Sequence, residues 1–146
     1  MADKKTIKFE IVTPERTVLS KEIVQVTVPT QDGEITILPE HIPLVSILQP
    51  GVLEIRTLDQ ETEIIAVSGG FIEVLRDKVV VLADTAERGE ELDEERITNA
   101  KTKAEKAKAE AMNHEEYDLS AVSVRLEVVL ARERALHKWR KLKSVK

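Results

Sequence analysis

No cysteine occurs anywhere in the chain, which excludes disulfides, thiolate nucleophiles and cysteine metal sites. Aromatic residues make up only 3% and are scattered, so nothing supplies the stacking platforms of a single-strand nucleic-acid binder. No apolar run approaches the roughly 20 residues needed to span a bilayer, and the opening MADKK is not a signal peptide, so a soluble intracellular protein is expected. Beyond Gly89 neither Gly nor Pro appears, which removes the usual turn formers from everything that follows. No nucleophile, base and orienting group converge, so an enzyme reading of the isolated chain is the weakest one.

What is present divides into two halves at LADTAERGEELDEERI, residues 82–97. Before it, apolar and β-branched residues recur every second position; after it the spacing is helical and alanine replaces valine and isoleucine. A single switch of period, from 2 to about 3.6, implies a β domain followed by a helical one, because each period decides which side chains share a face. With 146 residues, 42% hydrophobic and 34% charged, the first half can bury a core. The second is too thin and too charged to fold alone, so it is a dependent appendage.

Net charge is -5 but unevenly spread. In residues 120–146, eight cations face only Glu127 and Glu133, giving +6 and leaving -11 for the remainder. A cationic tip of this kind is either a solvated helix face or a contact for something acidic. An acidic protein surface or a nucleotide phosphate suits it; nucleic acid does not.

The first half reads as short strands: TIKFEIV at 6–12, IVQVTV at 23–28, GVLEI at 51–55, then segments at 62–67, 71–75 and 79–82. Turn formers punctuate them at Pro14, Gln31-Asp32-Gly33, Pro39, Pro43, Pro50-Gly51, Gly69-Gly70 and Arg76-Asp77. Strands this close, with no helices between them, imply antiparallel pairing in a sandwich or barrel. In GEITILPEHIPLV, 33–45, His41 lacks a Ser, Cys or metal-spaced partner. It reads either as a hydrogen-bonded loop residue or as part of a partner-contacting loop. In SGGFIEV, 68–74, the paired glycines signal positive φ or a close backbone approach. They precede a strand, not a helix N-terminus, which argues against a phosphate cradle.

The second half reads as a helical hairpin over 87–146, following a β domain over 1–86. Asp93 is the expected N-cap, with Glu94 and Glu95 complementing the helix dipole. Ile97, Ala100, Ala104, Ala107 and Ala111 form one stripe. The break is expected at 113–118. A second helix opens at Leu119 or Ser120, with Ala121, Val124, Val128, Ala131 and Ala135 as one stripe, widened by Val122, Leu126, Val129 and Leu136.

Four segments together, GEITILPEHIPLV, SGGFIEV, VLADTAERGEELDEER (81–96) and the charged helix-turn-helix tail, resemble the epsilon subunit family of F-type ATP synthases. The order and separations agree over nearly the whole chain. Family members often carry Gly where this chain has Thr36 and Glu40. The resemblance implies a ten-stranded antiparallel β-sandwich followed by a C-terminal two-helix antiparallel hairpin. It implies a non-catalytic central-stalk subunit contacting the gamma subunit and the c-subunit ring, with a rotor-contact loop carrying Glu34, Glu40 and His41. The helices would form a switch that permits rotation when folded down and blocks ATP hydrolysis when extended along gamma, the basic helix meeting beta and alpha. The protein would then sit peripherally on the cytoplasmic face of the cell membrane, touching it only through the c-ring.

The resemblance also implies a regulatory ATP, not a required cofactor, with Mg²⁺ optional. In many bacterial relatives a motif of Ile or Leu, Asp, two variable residues, Arg and Ala binds ATP; Leu92, Asp93 and Arg96 match it, and Ile97 replaces the Ala. Glu87 matches a further nucleotide-contacting position. Asp93 suits an adenine amino group, and Arg96, Arg134 and Lys138 suit phosphates; equally, Asp93 caps the helix and Arg96 pairs with carboxylates. Gly89 is expected to be the hinge, since glycine alone takes either sign of φ freely. The other class of function open to these residues is a stand-alone ATP-sensing module.

Overall fold

A computed structural model describes residues 5–114 and 118–144. Nine strands precede a 3-10 turn at Gly89–Glu91 and two helices. The strands are β1 Ile7–Val12, β2 Thr17–Thr30, β3 Gly33–Ile37, β4 Leu44–Leu48, β5 Gly51–Thr57, β6 Thr62–Val67, β7 Gly70–Val74, β8 Lys78–Ala83 and β9 Ala86–Arg88. Helix α1 is Glu94–Met112 and α2 is Leu119–Ser144. Residues 115–117, in the expected break, lie outside the described residues.

The pairing order is β1-β8-β7-β4-β2-β5-β6-β9, with β3 beside β2, and β1 also pairs with β2. The fourteen-residue β2 is therefore common to both layers of a sandwich. Its first half pairs with β1 and its second with β3 and β5, and a register shift between Ile23 and Gln25 lets it bend from one layer to the other. Two expectations are corrected here. There are nine strands among the described residues, not ten, because residues 17–30 run as one extended segment. The pairing is not wholly antiparallel either: β1 lies parallel to β8, which is possible because most of the sandwich is threaded between them in sequence.

Alternation predicts the interior. Ile7, Phe9 and Ile11 of β1 point inward and meet Ile23, Val26, Ile55, Ile65, Ile72, Val79 and Val81, all essentially solvent-free. One strand departs from alternation, and informatively: β6 buries Ile64, Ile65, Ala66 and Val67 in succession. Ile65 and Val67 belong to the core, while Ile64 and Ala66, with Val52 of β5, pack on Ala135 of α2. A strand apolar on both faces is one covered on both sides.

The hairpin is fastened through α2. This helix packs on β5, β6 and the 3-10 turn, and α1 packs chiefly on α2. Ala104 and Ala111 of the α1 stripe are buried and Ile97 meets Val129 and Leu136. On α2 the expected stripe divides: Ala131 and Ala135 are fully buried, Val129 and Leu136 turn to α1, and Val124 is exposed, as is Ala121. Because α2 has two partners on different sides, its apolar positions form two narrow stripes instead of one wide one.

Candidate functional site

Two regions carry exposed features that the fold itself does not use. The first is the outer face of β4, β7, β8 and β1, on strands that α2 does not cover. Ile47 lies opposite Phe71, Phe71 opposite Leu82, and Leu82 opposite Val12, so four apolar side chains form one row across four strands. Ile47, Phe71 and Leu82 are 46%, 52% and 48% exposed, and Val45 beside them 70%. Directly opposed residues share a face, so the row is contiguous, and contiguous exposed apolar surface marks interaction sites. Sequence reasoning missed it; the signal was that LVSIL and KVVVLA are apolar at both alternating positions.

The neighbouring loop after β3 carries two of the expected rotor-contact residues. Glu40 adopts φ 67, a left-handed conformation that suits the glycine often found there in the family, and its carboxylate accepts from Lys5 Nζ at 3.0 Å. His41 donates its backbone N–H to the Leu38 carbonyl at 3.2 Å and places Nδ1 2.7 Å from the Ile42 carbonyl. Glu34 lies on β3, exposed and opposite Pro29 of β2. Leu38 and Ile42, the latter 75% exposed, add apolar surface to the same loop.

The second region is the junction. Glu87, Leu92, Asp93 and Arg96 come together, with Glu91, Ile97, Ala100, Val129 and Arg132, around a cleft of ≈ 220 Å³. Asp93 Oδ1 accepts from the backbone N–H groups of Glu95 and Arg96 at 3.0 and 3.4 Å, so the capping role is realised. Ile97 is buried and partly floors the cleft. Arg96 is exposed and makes no ion pair among the described residues. Arg134 and Lys138 are elsewhere: they line a separate, more open groove of ≈ 610 Å³ with Glu94, Thr98, His137 and Arg140. There Lys138 pairs with Glu54 of β5 at 2.9 Å and Arg140 with Glu94 at 3.0 Å.

The cation facing Glu87 is instead Arg132, whose Nε donates to Glu87 Oε1. Sequence reasoning missed Arg132, although one helical turn separates it from Leu136, which reaches α1 in the same packing. The linker is tied further back. Glu91 accepts from Arg16 Nη2 and from the Arg88 N–H, both at 2.9 Å, and Arg88 Nη2 donates to the Val18 carbonyl at 3.1 Å. The Arg16 guanidinium, and then the Arg88 N–H, hold the Glu91 carboxyl below the usual carboxylate range, against the burial that would raise it.

Gly89 is buried against Trp139, and its φ is outside the positive region occupied by Gly33, Gly69 and Gly70. Its glycine character in this conformation comes from space, not dihedral freedom. No cluster of three or more potential metal ligands occurs among the described residues.

A sandwich that covers one face with its own helices and leaves an apolar row bare on another has the surface of a docking subunit. Residues 6–89 match the family model for the ATP synthase delta/epsilon chain β-sandwich domain. The ATP synthase epsilon chain of Chloroflexus aggregans is 44% identical over 138 residues, 94% of this chain and 99% of that one. That of Carboxydothermus hydrogenoformans is 53% identical over 104 residues, 71% of this chain and 75% of that one. Among solved structures, a chain of the Euglena gracilis mitochondrial ATP synthase (OSCP, F1 and c-ring) superposes with a TM-score of 0.79 at 25% identity, covering 94% of this chain and 85% of that one. A Tetrahymena thermophila central stalk and c-ring chain shares the fold, with a TM-score of 0.63 at 16% identity over 92% of this chain and 99% of that one. This chain belongs to the ATP synthase epsilon-chain family. It is an accessory subunit and not itself catalytic.

Proposed function

We propose that this subunit couples the catalytic head of an F-type ATP synthase to its membrane ring and restrains ATP hydrolysis through its hairpin. The observation that carries the reading is the bare apolar row Val12, Leu82, Phe71 and Ile47, whose occupant is the gamma subunit. The loop with Glu34, Glu40 and His41 faces the c-subunit ring, which is the chain's only link to the membrane, at the cytoplasmic face. The Euglena neighbour comes from an assembly that includes F1 and the c-ring, which supports both placements. Fastened through α2 by a small apolar patch around Ala135 and Trp139 and a few ion pairs, the hairpin leaves the sandwich at low cost, with Gly89 as the pivot. Extended along gamma, the cationic α2 meets an acidic surface of beta and of alpha and stops rotation.

Truncation after Arg88 tests this. Reconstituted without the hairpin, the synthase core is expected to hydrolyse ATP several-fold faster than with the full chain; equal rates would remove the inhibitory role.

Regulatory ATP belongs to the junction. The docked cleft is below the roughly 300–1,000 Å³ of a usual ligand pocket, so phosphates enter only if Arg132 exchanges Glu87 for them. Arg96 is already available, and Asp93 keeps one oxygen for an adenine amino group. Calorimetry on the full chain at millimolar ATP, with and without Mg²⁺, is expected to show binding that weakens about tenfold in Arg96→Ala. Asp93→Asn, which retains the cap, isolates the adenine contact. No heat in the wild type means that the site is vestigial, and a stand-alone ATP sensor is then excluded as well.

A further inference from the structure

Trp139 is the single tryptophan of the chain, and four parts of the molecule meet at it. It packs against the clusters that hold Val52, Ile64 and Ala66 of the sandwich, Ile97 of α1 and Ala135 and Leu136 of its own helix, and it lies against Gly89 of the linker. Lys143 Nζ lies over the ring, 5.2 Å from its centroid. Against the linker the fit leaves no room at all. A Cβ built on Gly89 would lie 2.4, 2.5 and 2.8 Å from Trp139 Cδ1, Cγ and Cβ. These are the root atoms of a large side chain, fixed by the helix that carries them, so they cannot swing aside as the tip of a lysine would. Since φ at Gly89 is not positive, alanine is admissible to the backbone there, and only the indole forbids it.

We propose that the indole of Trp139, seated on the bare backbone of Gly89, is the catch that holds the hairpin against the sandwich. The inference rests on the reading that the hairpin leaves the sandwich as a unit, and it assigns the docked state's stability to one contact in place of the ion pairs. Arg132 to Glu87 and Lys138 to Glu54, which join α2 to the sandwich, are both partly solvated, and pairs of that kind contribute little. The seat is the pivot itself, so releasing the ring frees the linker in the same event. The residue expected to act as a hinge is thus locked whenever the hairpin is down.

Amide hydrogen exchange on the full chain tests this directly, without the synthase. In Gly89→Ala, amides of α2 are expected to exchange about tenfold faster or more, while those of β1, β4, β7 and β8 keep the wild-type rate. Trp139 emission shifts to the red as the ring enters water. Trp139→Ala also speeds exchange, and adding Gly89→Ala to it produces much less further change than in the wild-type background, because Cδ1 and Cγ, the two nearest atoms it would strike, are gone. Unchanged α2 exchange in Gly89→Ala overturns the proposal, as do additive effects in the double variant. Acceleration of sheet and helices together overturns it too, since the hairpin would then not undock separately. The truncation experiment is independent: a hairpin that undocks but does not inhibit removes the functional reading and leaves the catch intact.

Discussion

Ile47→Thr combined with Phe71→Thr is expected to weaken association with the gamma subunit by at least about 30-fold, the equivalent of one lost hot spot of about 2 kcal/mol. Both side chains are half exposed and face each other at one end of the cross-strand row, so they add little to the stability of the isolated chain. Threonine is favourable in strands, and the unfolding free energy should move by no more than about 1 kcal/mol. The measurement is titration of the variant against gamma, with Leu58→Thr as control. Leu58 is 40% exposed but lies in the β5–β6 turn, off both the row and the hairpin, and its variant should bind as the wild type does. Unchanged affinity in the double variant would mean that gamma uses another face. The proposal for the apolar row would then fail even if the hairpin still inhibits.

Gly70→Ala should cost about 3–5 kcal/mol, a large part of the roughly 5–15 kcal/mol that holds a domain of this kind together. Two effects add at this position. Gly70 sits at φ +125, where an L side chain is strained, and a Cβ there would lie 2.0 Å from the Leu82 carbonyl oxygen and 2.9 Å from Ala83 Cα. The obstacles are backbone atoms of β8, paired in register with Gly70, and cannot yield without opening the β7–β8 ladder. Gly33 provides the comparison: its φ of +112 carries similar strain, but nothing lies within 4 Å of a Cβ there. Gly33→Ala should therefore cost only about 1–2 kcal/mol. Denaturant unfolding measures both, and equal losses would show that strain alone matters at residue 70.

These outcomes also mark how far the residues could be read without coordinates. Thr62–Val67 was legible to the residue as a strand, because its apolar run stands between charged residues and the Gly69-Gly70 pair. The paired glycines at 69 and 70 were legible as positive φ or close approach, and Gly70 combines both. Asp93 was legible as a cap because capping is a local event within three residues of chain. The continuity of residues 17–30 was not, since a bend that moves a strand between layers leaves no trace in alternation. Nor was the parallel placement of β1 beside β8, which depends on strands far apart in sequence.

The junction divides along the same line. Chain order and side-chain chemistry sufficed to place the change of period and the start of α1, because each follows from neighbours within a few positions; it was the family resemblance that singled out Glu87, Leu92, Asp93 and Arg96, which line one cleft. Which cation answers Glu87 did not follow from them. Arg132, Arg134 and Lys138 are alike as residues, and only the rotation of α2 on the sandwich aims the first at Glu87, the third at Glu54 and leaves the second in solvent. Gly89 is the sharpest instance. Its identity could be read as dihedral freedom, whereas its buried place under an indole fifty residues downstream is a matter of packing, which no local pattern of residues encodes.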